Sequence, residues 1–276
     1  MTIGKRNCDL LLRVSVTSLI ALTTVFLAFP VIVTAFLAFD ARDYLGAFPP
    51  TSFSTKWFEQ FFADDYLWSG LKTSLLVAMG ATAVASVIGA LAALAISRMS
   101  PGKRDFVTAL FLSPLVLPAV IIGFALLLLF SVFSWLPAFP RLLAGHLIIT
   151  VPYTIRMTLI GLTGISPSLQ EAALSLGANE RQAFFSVTLP LAKNGIAAGA
   201  IFAFAFSMDD VAISLFLSDF NTFTLPVALI GLIRSKFDLT IAAAAVVLML
   251  LTVVLLIFLD RVFGLERVIG QGIYRV

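Results

Sequence analysis

The sequence predicts an all-α protein that crosses a membrane several times, and three observations predict it. Hydrophobic residues make up 60% of the 276 positions and charged residues only 12%, against about 45–50% and about 25% for a soluble domain. Six stretches are long and apolar enough to span a bilayer as helix, which takes about 20 residues. One polar-to-amphipathic segment, 166–193, interrupts them in the second half of the chain. A lone cysteine, Cys8, and a lone histidine, His146, exclude a disulfide framework and a zinc cluster built from this chain alone. The same scarcity argues against an intramembrane enzyme, so no catalytic and no metal-binding residue is assigned.

The expected spans are 14–38, 71–97, 106–131, 142–165, 194–217 and 239–260. The first is too long for the apolar core of a signal peptide. After it comes a segment with Pro49-Pro50 and then Trp57, Phe58, Phe61 and Phe62 at helical spacing, beside polar Glu59, Asp64 and Asp65. It reads as an amphipathic helix lying in the outer interface; contact with a periplasmic partner is the alternative. Residues 1–70 therefore form an N-terminal section and 71–276 the core. Pro114 and Pro118 are expected to kink the third span, and Gly195, Gly199 and Ala203 form a small-residue stripe for close helix packing on the fifth.

Basic residues set the orientation. With the N-terminus inside, the inner side holds Lys5, Arg6, Arg13, Arg98, Lys103, Arg104, Arg181, Lys193, Arg261, Arg267 and Arg275. The outer side holds Arg42, Lys56, Lys72, Arg141, Arg234 and Lys236. Both termini and the 166–193 segment are thus expected in the cytoplasm. This asymmetry accounts for the net charge of +3 without nucleic acid as a partner.

The 166–193 segment carries helix punctuation. Ser166-Pro167 offers an N-cap and a first-turn proline, and Ser168 with Glu171 offers a capping box as a second possible start. Gly177 suits a left-handed C-terminal turn. Asn179 with Gln182 caps a second helix expected to run to Leu189, where Pro190 bends the chain into the fifth span. By amphipathicity alone this is a helical pair resting on lipid headgroups.

Three charged residues fall inside spans. Asp209 lies 14 residues beyond Gly195, about 21 Å along a helix, and Arg156 lies about 15 Å from the inner end of the fourth span. Intramembrane charge is costly and marks a pathway or a pair. One of Asp209 and Asp210 is expected to pair with Arg156 while the other lines a route for a cationic solute. An ion- or proton-coupled transporter using Asp209 and Arg156 is the rival. His146 reads as a hydrogen-bonded structural residue.

Glu171-Ala172-Ala173, three residues, Gly177, nine residues, Val187, one residue and Leu189-Pro190 together resemble the cytoplasmic loop of ABC importer permeases. Ser113-Pro114-Leu115-Val116-Leu117-Pro118, Val151-Pro152-Tyr153, Ser207-Met208-Asp209-Asp210 and Thr224-Leu225-Pro226 are similar to the spermidine/putrescine-type branch and its relatives. The resemblance implies the type I importer permease fold, with coupling helices between the fourth and fifth spans, in the bacterial inner membrane. It implies that Glu171, Ala172, Ala173, Gly177, Leu189 and Pro190 dock an ATPase. The implied partners are two cytoplasmic ATPase subunits that bind ATP-Mg, a second permease or a copy of this one, and a periplasmic binding protein. No nucleotide-binding motif occurs in the chain. Ala119, Leu229-Ile230-Gly231 and Thr240 stand where the polyamine branch carries polar or acidic residues. An aminophosphonate or an opine therefore joins polyamines as an expected cargo.

Overall fold

The computed structural model describes residues 5–44, 46–133, 135–163, 166–235 and 238–263. Lys236, Arg267 and Arg275 of the charge pattern, and the end of the fourth expected span, lie outside them. Every regular element among the described residues is helical, apart from one isolated bridge between Asp40 and Phe53. A chain in hydrocarbon must satisfy its backbone internally, and helices do so within one segment.

The chain divides into two compact units. One takes the described residues up to Asp64 together with Leu232–Leu250; the other takes Asp65–Gly231 and the described residues from Leu251. In the first, α1 (Lys5–Ala38) is a long apolar helix whose side chains are almost all exposed. Its end packs against α2 (Lys56–Ala63) and the start of α12 (Thr240–Phe263), in a cluster of Ala38, Trp57, Leu239 and Ala243. The apolar face of α2, expected to meet lipid, is largely covered by protein. Trp57 and Phe61 are buried in protein, Trp57 Nε1 donates to the Asp40 carbonyl at 2.7 Å, and of the four aromatics only Phe62 is well exposed. The apolar face found protein before it found lipid because the loop 39–55 folds back upon it, with Ala41 N–H donating to Ser52 O and Ser54 N–H to Phe39 O.

That loop is knotted by a buried ion pair. Arg42 Nε donates to both oxygens of Asp40 at 2.9 Å, and the Arg42 backbone N–H donates to Oδ1 at 3.0 Å. These bonds hold the Asp40 carboxyl below its usual range of 3.8, against the opposing effect of burial.

In the second unit, α3 (Asp65–Ser97), α6 (Ala138–Thr163) and α9 (Leu189–Asp209) form a three-helix bundle. The Gly195 stripe packs as expected. A Cβ on Gly195 would stand 2.9 Å from Gly161 Cα and one on Gly199 2.9 Å from Thr154 Cα, so the backbones of α6 and α9 touch. Thr154 Oγ1 then reaches Ala85 O on α3 at 2.8 Å.

The third expected span is broken rather than kinked. A helix α4 (Pro101–Leu112) and a 3-10 turn (Ser113–Leu115) meet α5 (Ala119–Ser131) at 88°. Pro118 has no N–H to offer and sits extended at ψ 127°, and two prolines within five residues remove the hydrogen bonds that would bridge the bend.

The fifth span is also displaced. The short α8 (Glu180–Ala183), a π-helical turn (Phe184–Thr188) and α9 form one helix from Glu180 to Asp209. Pro190 therefore does not end the helix. In the π turn Leu189 N–H donates to Phe184 O, five residues back, and this wider turn accommodates the proline ring. The expected stretch 210–217 instead breaks off as α10 (Ala212–Leu217), seated where Gly123 and Gly145 lack side chains, and α11 (Leu225–Ser235) follows. Four helices are thus long and apolar enough to cross a membrane, or five with the bent pair counted as one; the sixth expected span falls on the apolar part of α12, Thr240–Leu255.

Two predictions follow from these contacts. Gly195→Ala should lower the yield of folded protein and its melting temperature, by about 1–3 kcal/mol of overpacking, while Gly102→Ala, with open space around it, should change neither. Folding depresses the Asp40 pKa, so its stabilisation is complete above pH 3.8 and fades as pH falls below that value through the native one. Limited proteolysis of 39–64 should therefore show constant protection from pH 7 to pH 5 and loss below about pH 4. Asp40→Asn should be less protected already at pH 7.

Candidate functional site

The two ends of the Glu180–Asp209 helix carry the two groups of residues with functional promise. At the first end, α7 (Pro167–Ser175) begins at Ser166, not at Ser168; Ser166 and Ser168 hydroxyls bond each other at 2.7 Å. Its C-terminus is a Schellman turn. Gly177 adopts φ +91°, Gly177 N–H donates to Leu174 O and Ala178 N–H to Ala173 O. Two residues on, Asn179 Oδ1 accepts from Gln182 N–H at 2.8 Å while Gln182 Oε1 accepts from Asn179 N–H at 2.9 Å, a full capping box. Four local hydrogen bonds therefore fix a turn that tertiary packing barely touches.

The turn is an open surface. Glu171, Ala172, Gly177 and Pro190 are exposed, Ala173 and Leu189 half-buried, and Leu176 is 89% exposed beside Leu169, Leu174 and Phe185. Nothing lies within 4 Å of where a Gly177 Cβ would be. A rigid knob with apolar side chains around small residues suits docking into another protein's cleft.

At the other end, the helix stops because Asp210 competes for the backbone. Asp210 is extended at ψ 123°, and its carboxylate accepts from Ser214 N–H at 2.8 Å, from Ile213 N–H at 3.4 Å and from Ser214 Oγ at 3.0 Å. This caps α10 and forces the break. His146 on α6 joins the group: Nε2 lies 3.0 Å from Ser214 Oγ and 3.8 Å from Asp210 Oδ2, and Nδ1 lies 2.7 Å from Ser207 Oγ. Since the Ser214 hydroxyl proton goes to Asp210, Nε2 of a neutral ring donates to Ser214 and Nδ1 accepts from Ser207. His146 is fully buried and every polar atom of its ring is satisfied.

Asp209 faces the other way and is exposed. With Phe202 and Phe206 it occupies positions i, i+4 and i+7 of one helical face. Tyr153 of α6 stacks on Phe206 at 4.0 Å and 12°, and Phe202 lies 6.4 Å from both rings. Arg156 is exposed one turn beyond Tyr153. Because α6 and α9 run antiparallel with Thr154 against Gly199, Arg156 and Asp209 flank this aromatic patch from opposite ends, their backbones roughly 18 Å apart along the axis by helical rise.

The expected pair between Arg156 and an aspartate is therefore absent. The ion pairs among the described residues include Asp40–Arg42, Asp43–Lys56, Asp219–Arg141 and Asp210–His146, and Arg156 is in none of these. Asp210 takes its partners from α10 and α6 instead. Sequence reasoning named Tyr153 and Ser207 only within motifs and read His146 as a hydrogen-bonded structural residue, which it is; it singled out neither Phe202 and Phe206 nor Ser214. The i, i+4, i+7 spacing of Phe202, Phe206 and Asp209 was a readable signal; the histidine's partners, 61 and 68 residues away, were not.

Comparison with known proteins agrees with this geometry. The family described as "Binding-protein-dependent transport system inner membrane component" matches residues 85–264. The putrescine transport system permease protein PotI of Escherichia coli K12 is 29% identical over 228 residues, 80% of this chain and 80% of its own. The spermidine/putrescine permease PotC of the same strain is 30% identical over 182 residues, 66% of this chain and 69% of its own. A solved bacterial ABC transporter "involved in the import of the acidic polysaccharide alginate" has a chain of the same fold, with a TM-score of 0.72 and 18% identity, covering 93% of this chain and 96% of that one.

The two aspartates should respond differently to substitution. Asp210→Ala leaves the Ser214 hydroxyl and the Ile213 and Ser214 N–H groups without their acceptor and should lower folded yield and melting temperature, with Asp210→Asn partly restoring both. The loss expected is about 1–3 kcal/mol. Asp209→Asn, made on an exposed group, should match the unaltered protein in both measurements.

Proposed function

The chain belongs to the family of binding-protein-dependent transport system inner membrane components, and from that premise we propose that it is one of two permease subunits of an ATP-driven importer for a small amine-containing solute. The observation that carries this reading is the single helix from Glu180 to Asp209. It joins an exposed, self-capped turn to an exposed carboxylate about 45 Å away at 1.5 Å per residue.

The coupling half of the reading assigns Glu171, Ala172, Ala173, Gly177, Leu189 and Pro190 to contact with a cytoplasmic ATPase subunit, which binds ATP-Mg. Movement of the turn is carried along a helix with no break before Asp209. Both termini and the turn lie in the cytoplasm, as the excess of basic residues on that side requires. A second permease, or a copy of this one, supplies the other half of the pathway, and a periplasmic binding protein delivers the cargo. ATP binding then favours one arrangement of the two halves and hydrolysis releases it.

The substrate half assigns Asp209 and the aromatic patch to the pathway. A carboxylate beside the faces of Phe202, Phe206 and Tyr153 attracts an ammonium group through charge and through the ring quadrupoles. Arg156 at the far end of the patch would receive an anionic group of the same cargo, which favours a zwitterion such as an aminophosphonate or an opine alongside a plain diamine. The putrescine specificity named for PotI supports the amine.

In the assembled transporter, Gly177→Asp should abolish ATP-driven uptake or co-purification of the ATPase, while Gly177→Asn, which tolerates the left-handed turn without adding charge, should keep both. Asp209→Asn should keep the ATPase bound and reduce uptake of a labelled cationic amine at least tenfold. Undiminished uptake in both Gly177→Asp and Asp209→Asn would refute the two halves of the reading.

A further inference from the structure

A cavity opens away from the aromatic patch. It measures about 670 Å³ and lies at the turn-bearing end of the bundle, where the end of α3, the start of α4, the end of α6 and the start of α7 converge. Arg98, Arg104, Asp105, Thr163, Ser166 and Gln170 are among its lining residues. Two guanidinium groups face one carboxylate, so the cavity carries a net positive charge. Among the described residues none of Arg98, Arg104 and Asp105 makes an ion pair. Leu94, Leu159 and Leu162 supply an apolar floor.

The surroundings narrow the occupant. The helix α7 begins at this cavity with Ser166-Pro167, and Ser166 does not cap it by a side-chain bond. That helix start adds positive potential to that of the arginines. On its outer side, α4 buries no residue, and Phe106 and Leu110 are 72% and 61% exposed. A cationic, hydroxyl-lined cavity therefore opens beside an apolar helix face that needs lipid against it.

We propose that this cavity binds a phosphate-bearing anion, and that the occupant is the headgroup of an anionic phospholipid whose chains lie along α4. The inference takes the turn-bearing end to be the cytoplasmic one, as above, but its test does not depend on transport. A guanidinium pair recognises a phosphodiester by fork-like hydrogen bonds, and basic cavities between helices on the cytoplasmic side suit such headgroups. Bound there, the lipid would touch α3, α6 and α7 at once and fix the coupling turn against the bundle.

The test uses the full chain purified in mild detergent and exposed to mixed phosphatidylglycerol and phosphatidylcholine, with retained lipid counted by native mass spectrometry. The expected result is preferential retention of phosphatidylglycerol, falling about tenfold or more in the double variant Arg98→Gln/Arg104→Gln. Lys103→Gln, on the same helix but outside the cavity, should not change it. If the glutamine pair fails to fold, Arg98→Lys/Arg104→Lys should still hold the lipid and Thr163→Phe, which fills the cavity, should expel it. Displacement by millimolar inorganic phosphate would keep the anion site and assign it to free phosphate; resistance to phosphate assigns it to lipid. Equal retention of both lipids, or retention unchanged in the glutamine pair, would overturn the proposal. Loss of ATPase co-purification in that pair with lipid retention unchanged would also overturn it, and give the arginines to the protein partner.

Discussion

Backbone contact between α6 and α9 is the constraint on which the rest of this structure hangs. In lipid, apolar side chains gain little by meeting each other, so helices associate where small residues let their backbones approach. Gly161 against Gly195 and Gly199 against Thr154 provide that approach, and Thr154 extends the junction to α3 through Ala85 O. The seam fixes the register of the two helices. Register in turn places Tyr153 over Phe206, His146 beside Ser207, and Arg156 too far from Asp209 to pair. A shift by one residue would break the first two relations together.

The polar network at the end of α9 works with the seam rather than apart from it. Asp210 ends one helix and starts the next, and His146 ties that junction back to α6. A buried network of this kind is costly when half satisfied and stiff when complete. Here each hydroxyl, ring nitrogen and capped N–H has a partner. The helix break is therefore a fixed corner, and the exposed Asp209 beside it inherits a defined position. At the opposite end the π turn has the complementary effect. It carries the helix on through Pro190, so that the carboxylate at Asp209 sits on the same continuous helix that starts just after the Gly177 turn.

Local signals in the sequence were read well and relational ones poorly. The Gly177 turn, the Asn179 capping box and the Gly195 stripe are written within a few residues each, and the structure holds all three as expected. Pro190 misled because a wider turn can absorb a proline, and a single sequence carries no mark of that. Trp57 and Phe61 misled because an apolar face reads the same whether lipid or protein covers it; the loop that covers them is closed by an Asp40–Arg42 pair two residues apart. The Asp–Arg156 pair misled because charge alone says that a partner is needed, not which one. Asp210 found hydrogen bonds from its own next helix, closer in sequence than any arginine.

The geometry also bears on why one chain is not enough. An ionisable group within the hydrocarbon depth is tolerated only against a partner or a water-filled route. Asp210 has its partners; Asp209 and Arg156 have none among the described residues, and Phe202 and Phe206 between them are about two-fifths exposed. Such a face cannot stand against lipid tails. It must be covered by a second subunit, by water and cargo, or by each in turn as the transporter cycles. In the importer proposed above, the exposed face of α6 and α9 is half of an enclosure, with the packed seam behind it. In that reading the other half comes from a surface that approaches and withdraws, and a motion delivered at the Gly177 turn reaches Asp209 along the continuous helix that starts at Glu180.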